Sequence, residues 1–110
     1  MVDKYETSFE DNYEEPDPYG ADMILSERSR QICHEGYDSK NDDQYVHEEL
    51  LRAGIAYALA GITFRKDIRP INFWPWDWRT FKPYDRIENL VRAGALIAAE
   101  IDRLKRMEIK

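Results

Sequence analysis

At 110 residues, with 43% apolar and 13% aromatic side chains, the chain has room for one domain and enough hydrophobic mass for one modest core. Its net charge of −6 sits wholly in residues 1–20, where seven acids face Lys4; the other 90 residues balance 15 basic against 15 acidic side chains, which excludes the basic footprint of nonspecific nucleic-acid or anionic-lipid binding. No apolar run approaches the roughly 18 residues of a membrane span, MVDKYETSFED lacks the basic start and apolar stretch of a signal peptide, and the lone Cys33 fits a reducing cytosol.

Residues 1 to about 19 are acidic, contain EEPDPYG and show no apolar period, so they read as a disordered tail detached from a single helical domain over 20–110. Tyr5, Phe9, Tyr13 and Tyr19 recur within it. A solvated tail is the plain reading; docking over a basic pocket and mimicry of nucleic acid are the functional ones.

A first helix is predicted from Ala21 to Glu35, with Ile24, Leu25, Arg28, Ile32 and Cys33 on its inner face and Glu27, Arg30 and His34 pointing elsewhere. Gly36 is the natural left-handed stop, and Cys33 reads as a small core residue. After the polar loop DSKNDD, Asp42 or Asp43 is placed to cap a second helix from Gln44 to Leu59, whose face is Val46, Leu50, Ala53, Gly54, Tyr57 and Ala58. From Gly61 to Pro83 runs a long connection in which Pro70, Pro75 and Pro83 oppose regular helix, and the alternation of Trp74, Trp76 and Trp78 suits a short extended piece. The last helix opens on a capping-box spacing, Asp85 and Glu88, and repeats Ile87, Leu90, Val91, Gly94, Ile97, Ala98, Ile101 and Leu104 at three and four residues. Its Ala/Gly-rich stretch should pack closely on that of the second helix. The fold class is mainly α: a small bundle of about three helices with a long Trp/Pro-rich connection. So small a core beside so much aliphatic and indole surface predicts a homo-oligomer, built on the Ala/Gly helices or the aromatic loop.

Two constellations carry chemistry. Glu27, Glu35, Asp43 and Glu49, with Asp42 and Glu48 nearby, offer oxygen ligands from adjacent helices, a donor set suited to Mg²⁺ or Mn²⁺ bridging to a phosphate. The plain alternative is a solvated acidic face paired with Arg28, Arg30, Lys40 and Arg52. One Cys and two His make a zinc site a poor fit, and His34 and His47 read as exposed or capping. The second constellation is the loop holding Trp74, Trp76, Trp78, Arg79, Lys82 and Tyr84, where aromatic faces beside cations can stack a base and hold a phosphate. The same indoles can instead plug a core that the helices leave open, and one Trp can pack while another stacks. Arg28, Gln31, Trp76, Arg79 and Lys82 are therefore the candidate ligand-binding residues.

The run ERSRQICHEGYDSKNDDQYVHEELLRAGIAYAL, followed by WPWDWRTFKPYDRIENLVRAGALIAAEIDRL, resembles a family of small bacteriophage and prophage proteins over roughly residues 24 to 104. In that family an ER-RQ helix leads to an EGW-type turn, an HDD-type loop, a GEL-AA-YA helix, a WPWD…WKP loop and a KAGALIAAEIDRL helix. This chain departs in carrying Tyr37 where Trp is usual, Asn41 where His is usual and Glu48 where Gly is usual. The resemblance implies phage origin and a bacterial host cytoplasm rather than an activity. A weaker similarity is to MazG-like nucleotide pyrophosphohydrolases, all-α enzymes that bind Mg²⁺ through ExxE and ExxD helices; here Arg30 follows Glu27 and Arg52 follows Glu49, so neither pair is matched. Three functions follow as expectations. The leading one is a phage accessory protein that binds a nucleotide-type small molecule, as a sponge for a host defence signal. The others are a Mg-dependent hydrolase and an inhibitor of a host protein acting through the tail or Trp loop.

Overall fold

The computed structural model describes residues 19–62, 67 and 69–109; the acidic tail lies outside them. Among the described residues the regular structure is helical throughout. Four α-helices occur in the order α1 (Gly20–His34), α2 (Ser39–Asp42), α3 (Glu49–Ala60) and α4 (Arg86–Ile109), with 3₁₀ turns at Pro70–Phe73 and Trp78–Thr80.

α1 ends where expected. Gly36 adopts φ +72, a conformation cheap only for glycine, and the Tyr37 N–H folds back onto the Gln31 carbonyl at 2.9 Å. Its inner face is the expected one only in part. Arg28 is buried and Ile24 is half-buried as expected, but Glu27 and Gln31 are buried too, whereas Leu25, Ile32 and Cys33 are exposed. Apolar spacing alone misreads this helix because its buried side chains are held by polar partners, Glu27 by Arg30 and Gln31 of the same helix and Arg28 by Asp42 of α2.

α3 starts five residues later than the sequence suggested. The polar loop before it forms a one-turn helix, α2, capped by the Asp38 carboxylate accepting from the Asn41 N–H at 2.9 Å. Asp42 and Asp43 therefore end α2 instead of capping α3, and Val46 is exposed. Glu48 precedes α3 with φ +66, a left-handed conformation that costs a non-glycine residue about 1–2 kcal/mol. Glu48→Gly should raise stability by about 1 kcal/mol, read as a Tm increase of about 4–8 °C; an unchanged or lowered Tm would show that the backbone there relaxes without strain.

α3 and α4 form the central pair. Leu50, Ala53 and Tyr57 pack against Ala93, Leu96 and Ala99. Small residues set the spacing, since a Cβ on Gly54 would stand 3.2 Å from the Ile97 side chain and 3.3 Å from the Ala93 carbonyl. α1 lies on another side of α4, its Ile24 resting over Gly94, where a Cβ would come within 2.6 Å. The buried Asn89 pins the α4 start: its side chain accepts from the Tyr84 N–H at 2.6 Å and donates to the Tyr84 carbonyl at 3.0 Å. The capping contact is present too, with the Glu88 N–H donating to Asp85 Oδ1 at 2.8 Å.

The Trp-rich connection folds onto this pair. Trp74, Trp76 and Phe81 pack against the core, and Trp74 Nε1 donates to the Asp77 carbonyl at 3.1 Å and to Thr80 Oγ1 at 3.0 Å. Trp78 starts a 3₁₀ turn where an extended piece was expected, and is 69% exposed. Two indoles plug; one does not.

Candidate binding pocket

Where the Trp loop arches over α1, α3 and α4 it leaves a cavity of about 430 Å³, within the range that holds small ligands. Its walls are aromatic. Trp76 sits 5.1 Å from both Tyr45 and Trp74, and Trp74 meets Tyr57 edge-on at 5.5 Å. Such T-shaped contacts hold the rings rigidly while leaving faces free to receive a flat ligand.

Three cations border the cavity: Arg30, Lys82 and Arg92. They are not equivalent. Arg30 is spent on Glu27, at 2.8 and 2.9 Å, and on Glu35 at 2.7 Å. Arg92 lies 4.1 Å above the Tyr84 ring and 3.4 Å from Glu88 Oε1, yet its buried Nε makes no hydrogen bond. Lys82 is exposed and has no ion-pair partner among the described residues. An anionic group would therefore find Lys82 and Arg92 the most available.

Gln31 faces the same cavity from α1 and is 3% exposed. Its Nε2 donates to Glu27 Oε2 at 3.3 Å, which leaves Oε1 buried with no partner. A buried acceptor without a donor costs about 1–3 kcal/mol, so an N–H arriving from a ligand gains at this point.

The acidic residues are arranged around arginines. Burial alone would raise the Glu27 carboxyl, but hydrogen bonds and charge from Arg30 outweigh it and hold the group below its ordinary value; Arg30 is raised in turn. Asp42, 1% exposed, pairs with Arg28 at 3.1 Å, and burial still pushes its carboxyl above the ordinary value against that partner. Asp43 pairs with Arg106 at 2.7 Å, and Glu49 Oε1 accepts from the His47 N–H at 2.6 Å. The four carboxylates expected to converge are thus divided: Glu27 and Glu35 share Arg30, while Asp43 and Glu49 have separate partners. Among the described residues no three His, Cys, Asp or Glu side chains form a cluster that could hold a metal ion.

Of the candidate ligand residues, Gln31, Trp76 and Lys82 come together at the cavity, and Glu35 joins them at its edge. Arg28 and Arg79 do not line it. Arg28 is buried, bonded to Asp42 and to the Tyr37 carbonyl at 3.2 Å, so it supports the loop that forms one wall. Arg79 is an exposed partner of Asp77 at 2.6 Å. Tyr37, Tyr45, Tyr57 and Arg92 line the cavity, though none of them was among the candidate ligand residues. Only Arg92 had a signal, as a cation amid the apolar repeat of α4.

Comparison with protein-family models, with characterised proteins and with solved structures finds no match for this chain.

Proposed function

We propose that this chain is a binding protein for a nucleotide-type small molecule, which it holds without turning it over. The observation that carries this reading is the unpartnered Gln31 Oε1, buried at a cavity with aromatic walls and available cations. A flat heterocycle stacks on indole and phenol faces, and base–aromatic stacking is worth about 1–3 kcal/mol per base. Its ring or exocyclic N–H meets Gln31, and an attached phosphate reaches Lys82 and Arg92. Binding without turnover is favoured because Glu27, Glu35 and Asp43 are each engaged by an arginine. The phage-type pattern over residues 24 to 104 gives such a protein a use, as a sponge that removes a host defence signal from the bacterial cytoplasm.

Calorimetry and thermal shift across nucleoside monophosphates, diphosphates and dinucleotides, with and without Mg²⁺, test this reading when combined with analysis of the recovered ligand. The expected result is saturable binding with the ligand recovered intact. Mg²⁺-dependent release of phosphate or pyrophosphate would replace it with the hydrolase reading. Failure of every nucleotide to bind would leave the host-protein reading, with exposed Trp78 as its nearest contact.

A further inference from the structure

Near its end α1 carries a chain of linked polar side chains that stops at the cavity wall. Glu27, Arg30 and Gln31 lie three and four residues apart and so share one side of the helix. Arg30 clamps the Glu27 carboxylate with Nε on Oε1 at 2.8 Å and Nη2 on Oε2 at 2.9 Å, and Glu35 holds Arg30 from its other edge at 2.7 Å. Burial works against the Glu27 charge, Arg30 outweighs it, and the carboxyl stays below its ordinary value. An ionised carboxylate can only accept. Glu27 is buried and does not line the cavity; Gln31 lines it, and its Nε2 donates back to Glu27 Oε2 at 3.3 Å.

A glutamine amide can lie either way round, since a half-turn about its last bond exchanges acceptor for donor with almost no change of shape. Beside an ionised Glu27 only one of the two is favourable. With Nε2 toward the carboxylate the contact is a hydrogen bond. With Oε1 toward it, two acceptors would meet in a buried place with no proton between them. We infer that Glu27 is a positioning residue for the pocket: through Gln31 it fixes an acceptor at the cavity wall, and so selects ligands whose base edge brings an N–H over those that bring only a ring-nitrogen lone pair or an N-methyl group. The selection presupposes the nucleotide-type ligand proposed above, and concerns which base edge that ligand shows to Gln31. Donors face the cavity elsewhere, at Lys82 and at the Arg92 Nε that makes no hydrogen bond, so a heterocycle with acceptors alone still finds partners. What it cannot do is satisfy Gln31 Oε1, and a site built to receive a hydrogen bond rejects an analogue that lacks the donor.

Calorimetric affinities of the full chain for two matched pairs of probes test this selection. One pair is adenosine monophosphate and purine riboside monophosphate, which lacks the exocyclic amine; the other is uridine monophosphate and its N3-methyl derivative. Within whichever pair binds, the N–H member should bind about tenfold or more tightly, because its counterpart leaves Oε1 buried without a donor. Glu27→Gln keeps the size of the side chain and lets it donate as well as accept, so Gln31 is free to turn. The preference should then vanish, with the loss confined to the N–H member. A merely structural role for Glu27 would weaken both members alike and leave their ratio where it was, which would overturn the inference. Gln31→Asn breaks the same contact from the other side and leaves the Glu27–Arg30 pair intact, so it carries the test if Glu27→Gln does not fold; a preference that survives it is equally contradictory. Equal binding of both members by the unaltered chain would overturn the selection alone. Binding of none of the four probes would count against the nucleotide reading itself, and the selection would fall with it.

Discussion

Arg28→Met is expected to destabilise the chain by about 3–5 kcal/mol, the largest effect of any single substitution considered, because it removes the ion-pair partner of Asp42, 1% exposed, and leaves that carboxylate the Asn41 amide as its side-chain donor. Arg28 sits between α1 and the loop after it, donating to Asp42 Oδ2 at 3.1 Å and to the Tyr37 carbonyl at 3.2 Å. Replacing it with an apolar side chain of similar length keeps the packing and removes both bonds. Asp42 can escape by taking up a proton, a route its raised pKa already favours. The loss should therefore be smaller in acid than at neutral pH. Urea unfolding of Arg28→Met, Asp42→Asn and the double variant separates charge from shape: the double variant should recover much of the loss, since a buried pair replaced on both sides can be nearly neutral. A loss below about 1 kcal/mol in Arg28→Met would show that the pair is dispensable and that α1 is held by its apolar contacts alone.

The second large effect falls on binding. Trp76→Leu should weaken nucleotide affinity by about 1–3 kcal/mol, roughly 5- to 150-fold, by removing a stacking face while keeping an apolar contact for Tyr45. Lys82→Ala should weaken ligands in proportion to their phosphate charge, leaving the parent nucleoside nearly unaffected. Gln31→Met should do the reverse, costing the nucleoside and nucleotide alike because the base has lost its acceptor. Arg79→Ala serves as the control: it shares the loop with Trp76 but pairs outward with Asp77, and its removal should leave affinity unchanged. Equal losses from Arg79→Ala and Lys82→Ala would mean that charge in the loop matters only generally and that the cavity is not the site.

Much of this architecture was legible in the residues, and what escaped has a common cause. α4 announced itself through a five-turn repeat and a capping pair, and Gly36 marked the end of α1 by a conformation few other residues take. The core plug, one of two readings the Trp loop left open, holds for Trp74 and Trp76 and not for Trp78. α1 was misread in part, because Glu27 and Gln31 are buried beside the expected Arg28 and polar burial leaves no hydropathy period. The site was half visible for the same reason. Trp76 and Lys82 stood out by type, but Tyr45, Tyr57 and Arg92 reach the cavity only through packing between distant segments. The four acids looked like a metal set because spacing shows where carboxylates fall along a helix and not which arginine meets them.

An equilibrium titration followed by intrinsic tryptophan fluorescence reports on the cavity itself, since two of the three indoles line it and the third is 69% exposed. The account predicts a saturable change in emission with a nucleotide-type ligand, insensitive to Mg²⁺, weakened by Lys82→Ala and unaffected by Arg79→Ala. An emission that stays flat to millimolar concentrations of every nucleoside, nucleotide and dinucleotide offered, in a chain shown to be folded, would contradict it.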